Sequence, residues 1–334
     1  MDLKKLKEDL LNGKRRALAK AITLIESKNE KHKKYAKELL EGILPYTGNS
    51  IRIGISGVPG VGKSTFIEAF GLYLIEKGHK VAVLAVDPSS QITGGSVLGD
   101  KTRMEELSRR QEAFIRPSPS GDSLGGVARR SRESIFLCEA AGYDVIIIET
   151  VGVGQSEISV ASMVDMFLLM QLPNAGDELQ GIKRGIMEVA DAIIINKADS
   201  DNLKVAELAK KQLENALSIL KKQDKDWQTP VILVSALEKR GIDVVFSTIE
   251  KYVRIKKLNG TFFEKRKRQA VDWMWSVVME GLKALLDNNQ KVASVAKDME
   301  KAVVNQVTTP SLAAEYILNR FKETLCEGGV PWRS

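Results

Sequence analysis

One stretch constrains this chain more than any other. Gly57-Val58-Pro59-Gly60-Val61-Gly62-Lys63-Ser64-Thr65 satisfies G-x-x-x-x-G-K-[ST] at every position. It follows an apolar run at 51–56 and opens a helical pattern over 65–77, the context in which such a loop curls its backbone N–H groups around an anion. The helix N-terminus adds a favourable field for phosphate. Gly57, Val58, Pro59, Gly60, Val61, Gly62 and Thr65 are the expected cradle, with Lys63 neutralising the β- and γ-phosphates and Ser64 ligating Mg2+. A chance glycine-rich turn does not call for this flanking strand and helix.

The rest of the chain repeats that alternation. Short apolar runs at 51–56, 81–86, 145–148, 166–170, 192–195 and 231–234, several rich in Ile and Val, alternate with helical segments. Continuous apolar strands separated by helices indicate a parallel sheet covered on both faces. The expected fold class is α/β, a P-loop NTPase with a mostly parallel central sheet flanked by helices, plus N- and C-terminal helical arms. Before the sheet, residues 3–44 read as two or three amphipathic helices. Leu18, Ala21, Ile22 and Ile25 follow the spacing of one helix face. Tyr46-Thr47-Gly48-Asn49-Ser50 breaks that pattern. Beyond about residue 241 the strand signals stop, and 262–286, 292–304 and 311–325 read as helices, the last opened by the cap pair Thr309-Pro310. The expected division is a helical arm at 1–48, a nucleotide domain at 49–258, a C-terminal helical dimerisation arm at 259–328 and a tail at 329–334.

Composition narrows the class. Two cysteines, Cys138 and Cys326, build neither a disulfide framework nor a four-cysteine zinc site, and Cys138 reads as a small hydrophobe on a helix face. No apolar run reaches 18 residues, and the start Met1-Asp2-Leu3-Lys4-Lys5 leads into a charged helix, so the expected location is cytoplasmic, away from membranes. The net charge of +7 is uneven: residues 1–50 carry 12 Lys/Arg against 7 Asp/Glu, 251–334 carry 15 against 9, and 51–250 carry 23 against 27. Positive charge away from the working site points to protein partners rather than nucleic acid. Lys265-Arg266-Lys267-Arg268 is expected as a solvated helix face.

A second motif selects the base. Asn196-Lys197-Ala198-Asp199 stands at the end of the run 192–195. A carboxylate at Asp199 accepts from both the ring N–H and the exocyclic amine of guanine, whereas adenine leaves it unpaired, so GTP is favoured over ATP. The Lys197 stem lies over the base plane in this reading. Ser235-Ala236-Leu237, ending the next apolar run, offers backbone N–H groups to guanine O6.

Acidic candidates for the metal are Glu149, ending Val145-Ile146-Ile147-Ile148, together with Asp87 and Asp100. For each Asp an ordinary turn or cap residue is the competing reading. The loop Gly152-Val153-Gly154-Gln155-Ser156-Glu157 is suited to respond to a γ-phosphate. Gln155 is one candidate to orient the attacking water, without a spacing argument that fixes it there. Slow intrinsic hydrolysis is expected, because this catalysis depends on positioning and charge.

These residues in combination resemble the methylmalonyl-CoA mutase-associated GTPases, also described as lysine/arginine/ornithine transport system kinases. The resemblance covers nearly the whole chain. It rests on Val86-Asp87-Pro88-Ser89-Ser90, Thr93-Gly94-Gly95-Ser96, Leu98-Gly99-Asp100-Lys101-Thr102-Arg103-Met104, Glu149-Thr150-Val151-Gly152-Val153-Gly154-Gln155-Ser156-Glu157 and Leu179-Gln180-Gly181-Ile182-Lys183. It implies that Asp87, Asp100 and Glu149 join Ser64 around Mg2+. It also implies that the stretch from Asp177 to Lys183 is a mobile switch communicating with the mutase, with Lys183 supplying transition-state charge when the partner docks. The implied function is loading of adenosylcobalamin and protection or reactivation of the mutase, by a homodimer joined through its C-terminal segment.

Two other classes compete. A nickel- or cobalt-insertion GTPase needs soft or imidazole ligands, and the chain has His32 and His79 alone, with no Cys-x-x-Cys. A transport-associated kinase or ATPase normally uses ATP, which the Asn196–Asp199 element opposes.

Overall fold

The structure, a computed structural model, describes residues 2–86, 104–117, 124–150, 156–173, 184–219 and 226–327. It divides into two compact units, Met1–Gln269 and Ala270–Ser334.

The first unit is built on a seven-stranded sheet of order β3-β2-β4-β1-β5-β6-β7. The strands are β1 (Ile51–Gly57), β2 (Val81–Val86), β3 (Ala113–Arg116), β4 (Val145–Thr150), β5 (Met166–Gln171), β6 (Ala192–Ile195) and β7 (Val231–Leu233). Every adjacent pair is parallel, with Ile53 opposite Ile147 on one side of β1 and Met166 on the other. The predicted runs account for six of these strands, and β3 is the addition. Side chains alternate between two cores, as a period of two requires. Ile146, Ile148, Phe167 and Leu169 face one core with α1 (Leu3–Leu11), α2 (Arg15–Glu26), α3 (Glu30–Ile43) and α6 (Leu124–Ala140). Val145, Ile147, Met166 and Leu168 face the other with α4 (Lys63–Glu76), α5 (Glu105–Arg109) and α10 (Ile242–Leu258). Burial on both faces explains why these strands are apolar without alternation. Cys138 on α6 is fully buried, and burial pushes its thiol above the usual range, so it packs as a hydrophobe.

The entry ends of the strands carry a repeated device. Asp144, Asp165 and Asp191 each stand one residue before a strand, and each carboxylate accepts a backbone N–H from the neighbouring strand's entry: Lys80 at 2.7 Å, Arg52 at 2.8 Å and Phe167 at 2.8 Å. These bonds satisfy donors at the sheet's open end and pin the strand register.

Two of these carboxylates also hold the beginning of α11 (Thr261–Asp287). Arg266 donates through Nε and Nη2 to Asp165, both at 2.7 Å, and to the Gly48 and Ser50 carbonyls at 2.6 Å. Lys265 Nζ donates to the Asp165 carbonyl at 2.7 Å and stands 3.5 Å from the Asp191 carboxylate. The run 265–268 is therefore not a uniformly solvated face. Lys267 and Arg268 are exposed, while Lys265 and Arg266 turn inward toward the half-buried Asp191 and the buried Asp165.

Among the described residues the first unit also holds α7 (Ser156–Ala161), α8 (Arg184–Val189) and α9 (Leu203–Ile219). Gly54 lets α7 seat hard on β1, since a Cβ there would meet Val160 and Phe167 at 2.9 Å. The second unit holds the rest of α11, α12 (Gln290–Val304) and α13 (Pro310–Glu327). Thr309 caps α13 through its hydroxyl to Leu312 N at 3.3 Å, as the Thr-Pro pair predicts. No helix among the described residues is long and apolar enough to cross a membrane.

Candidate nucleotide site

The 57–65 loop and the 196–199 and 235–237 segments meet at the exit ends of β1, β6 and β7, where ligands of open parallel sheets bind. β1 runs into the loop, and α4 begins at Lys63. Gly62 adopts φ +89°, and a Cβ there would lie 2.7 Å from Asn196 Nδ2, so both the conformation and the close approach require glycine. Val61 is fully buried and anchors the loop, while Pro59, Gly60 and Thr65 are exposed. Lys63 Nζ donates to the Gly57 carbonyl at 2.7 Å and to that of Val58 at 3.4 Å. Burial pushes its pKa below the usual lysine range, opposed by the Glu149 and Glu157 carboxylates. An ammonium held under that desolvation penalty gains from an incoming polyanion.

Behind the loop lies a buried hydroxyl relay. Thr150 Oγ1 donates to Ser56 Oγ at 2.9 Å, and Ser56 Oγ donates to Glu157 Oε1 at 3.2 Å. It joins the ends of β4 and β1 to the first turn of α7. The 149–157 motif contains Thr150 and Glu157, and the relay gives each a partner that the motif alone does not show. For Ser56 the signal in the sequence is a serine near the end of a mainly apolar strand.

The 196–199 and 235–237 segments are equally ordered. Asn196, 2 % exposed, donates through Nδ2 to the Val61 carbonyl at 2.8 Å and accepts at Oδ1 from Ala236 N at 3.1 Å. One amide therefore joins all three segments singled out in the sequence. Lys197 is exposed at φ 58°. Asp199 accepts at Oδ1 from the Ser235 hydroxyl at 2.5 Å, which orients its carboxylate. Ser235 and Ala236 are buried, and Leu237 is 78 % exposed. Glu238 and Arg240, absent from the sequence reading, brace this region from outside.

Glu149, 4 % exposed at the end of β4, and Ser64, in the first turn of α4, supply hard oxygen donors that suit Mg2+. Among the described residues there is no cluster of three or more metal-binding side chains. Asp87, Asp100, Asp177, Lys183 and Gln155 lie outside the described residues.

Comparison with known proteins agrees with this geometry. Residues 18–291 match the family model described as "Methylmalonyl Co-A mutase-associated GTPase MeaB". A "Putative GTPase" of Caulobacter vibrioides is 51% identical over 321 residues, 96% of this chain and 98% of that protein. "GTPase ArgK" of Escherichia coli is 49% identical over 301 residues, 90% and 91% of the two chains. "Methylmalonic aciduria type A homolog, mitochondrial" of Mus musculus is 44% identical over 323 residues, 94% of this chain and 78% of that protein. A solved structure described as "LAO/AO transport system kinase" superposes with a TM-score of 0.80 at 41% identity, covering 96% of this chain and 97% of that one. With a phosphate loop and a guanine-type base segment stitched together by Asn196, and a family match over most of its length, the chain belongs to the methylmalonyl-CoA mutase-associated GTPase family and is a P-loop GTPase.

Proposed function

We propose that the chain binds GTP across the 57–65 loop and the 196–199 and 235–237 segments, hydrolyses it slowly alone, and couples that cycle to a cobalamin-dependent methylmalonyl-CoA mutase or a related acyl-CoA mutase. Its service to that enzyme is cofactor loading, protection or reactivation. The observation that carries the nucleotide reading is the Asn196 amide spanning Val61 and Ala236. The family description supports the partner.

In this mechanism the 57–62 backbone and the start of α4 orient the phosphates, and Lys63 exchanges its loop carbonyls for phosphate oxygens as charge develops there. Asp199 reads the guanine edge and Lys197 covers the base plane; within the 235–237 turn it is the Leu237 N–H that faces O6, because those of Ser235 and Ala236 donate to the Arg240 carbonyl and to Asn196 Oδ1. Ser64, Glu149, Asp87 and Asp100 are the residues we assign to Mg2+, which when bound neutralises charge on the β- and γ-phosphates. Lys183, within the switch that includes Asp177, approaches the nucleotide when the mutase docks.

The assigned form is a cytoplasmic homodimer. Val271, Trp275, Val278, Leu282 and Leu285 recur at helical spacing along α11 and are all at least 40% exposed, which supports a second copy packing there. Isolation of partners from cell extract, with and without a non-hydrolysable GTP analogue, tests the reading. Recovery of a cobalamin-dependent mutase in a nucleotide-dependent manner is the expected result, and its consistent absence overturns the partner assignment.

A further inference from the structure

The residues after Ser235 fold back behind the base-reading loop. Ser235 and Arg240 exchange backbone hydrogen bonds at 3.1 and 3.0 Å, closing a tight turn that passes through Lys239 at φ 53°. Glu238 N donates to Ser235 Oγ at 3.0 Å. That bond occupies a lone pair of the hydroxyl and leaves its proton for Asp199. The Glu238 carboxylate accepts from Ser200 through both its N–H, at 3.3 Å, and its hydroxyl, at 3.2 Å. It also pairs with Arg240 at 3.3 Å. Arg240 Nη2 in turn donates to the Ala198 carbonyl.

These contacts converge on the residues either side of Asp199. Ala198 N donates to the Val234 carbonyl at 3.1 Å, and the Ala198 carbonyl, the acceptor of Arg240, belongs to the peptide that carries Asp199. Ser235 holds a single carboxylate oxygen of Asp199 and so leaves the carboxylate a pivot. The residue before this peptide, Lys197, is in the left-handed region that a side chain disfavours, so the loop needs outside restraint to keep its shape.

We propose that Arg240, backed by Glu238, is a positioning residue for base specificity: it fixes the Ala198–Asp199 peptide and keeps Asp199 square to the two donors on the guanine edge. This rests on the reading of residues 196–199 as the base site. Two parallel hydrogen bonds demand that alignment, because a tilted carboxylate keeps one and loses the other. Hypoxanthine, which presents the ring N–H without the exocyclic amine, tolerates the tilt. Loss of Arg240 therefore weakens guanine more than hypoxanthine.

The test compares dissociation constants for GDP and inosine diphosphate in the full chain. Arg240→Ala is expected to lower the preference for GDP about tenfold, mostly through weaker GDP binding. Glu238→Gln produces a smaller fall in the same direction, and Arg240→Lys recovers part of the preference. Asp199→Ala is the control for the site itself. If it leaves the preference intact, the base-site reading fails and takes this inference with it. If Asp199→Ala abolishes the preference while Arg240→Ala leaves it intact, the role of Arg240 alone is overturned. Equal weakening of both nucleotides by Arg240→Ala marks a general loosening of the fold and also overturns it. Should Arg240→Ala fail to fold, Arg240→Lys and Glu238→Gln decide by the same ratio.

Discussion

The Asn196 side chain holds the Val61 carbonyl at 2.8 Å across 135 positions of sequence, so the 57–65 loop and the 196–199 segment are one braced object. Replacing Asn196 by alanine strands the Val61 carbonyl and the Ala236 N–H in a buried setting. Each stranded group costs roughly 1–3 kcal/mol. The expected outcome is a loss of GDP affinity of about 10- to 100-fold with a lower melting temperature. Calorimetric titration and a thermal scan of the variant check it.

Lys63 makes a pH prediction. Burial depresses its pKa in the free protein, and a bound polyphosphate raises it again. The ammonium's contribution to binding is therefore complete below the depressed value and fades as pH rises through it. The ratio of GDP affinity between the parent protein and Lys63→Ala should shrink steadily on the alkaline side. Titration of the guanine ring N–H cancels in that ratio. A ratio flat with pH would show that the Lys63 charge contributes nothing to binding.

Arg266 predicts a stability effect separate from nucleotide binding. Its partner Asp165 is 2% exposed, and Arg266→Ala leaves that carboxylate without its bidentate cation. Breaking such a buried pair costs about 3–5 kcal/mol, which for a chain of this size lowers the melting temperature by roughly 4–7 °C. GDP affinity measured below the transition should stay close to that of the parent, because the clamp grips the entry ends of the strands.

The exposed stripe on α11 predicts assembly. Trp275, 58% exposed in the single chain, lies within that stripe. Trp275→Glu should convert a dimer to a monomer in sedimentation equilibrium while leaving GDP binding intact. A parent chain that is monomeric at all concentrations would remove the homodimer from the account.

The parallel sheet and the two nucleotide motifs were legible because their signals are local: apolar runs of Ile and Val, and side chains at fixed short spacing. β3 was not legible. Ala113–Arg116 is a short edge strand paired with β2 alone, it follows a polar stretch, and it ends in arginine, so its apolar signal is weak. The Arg266–Asp165 clamp escaped for a different reason. A basic run on a helix looks the same whether it faces water or a carboxylate 101 positions away, and tertiary packing decides which. The strand-entry aspartates were readable in Tyr143-Asp144-Val145, Val164-Asp165-Met166 and Ala190-Asp191-Ala192, but the device is recognised only once neighbouring strands are known. Arg240 and Glu238 were hidden likewise, since their partners Ala198 and Ser200 lie across a strand and a helix from them.

The most direct measurement is the rate of GTP hydrolysis by the purified chain as an adenosylcobalamin-dependent methylmalonyl-CoA mutase is added. A slow basal rate that rises to a plateau with mutase, no comparable rate with ATP, and loss of the response in Lys63→Ala are the expected results. A basal rate that ignores saturating mutase, or one that rises equally with ATP, would contradict the proposed function.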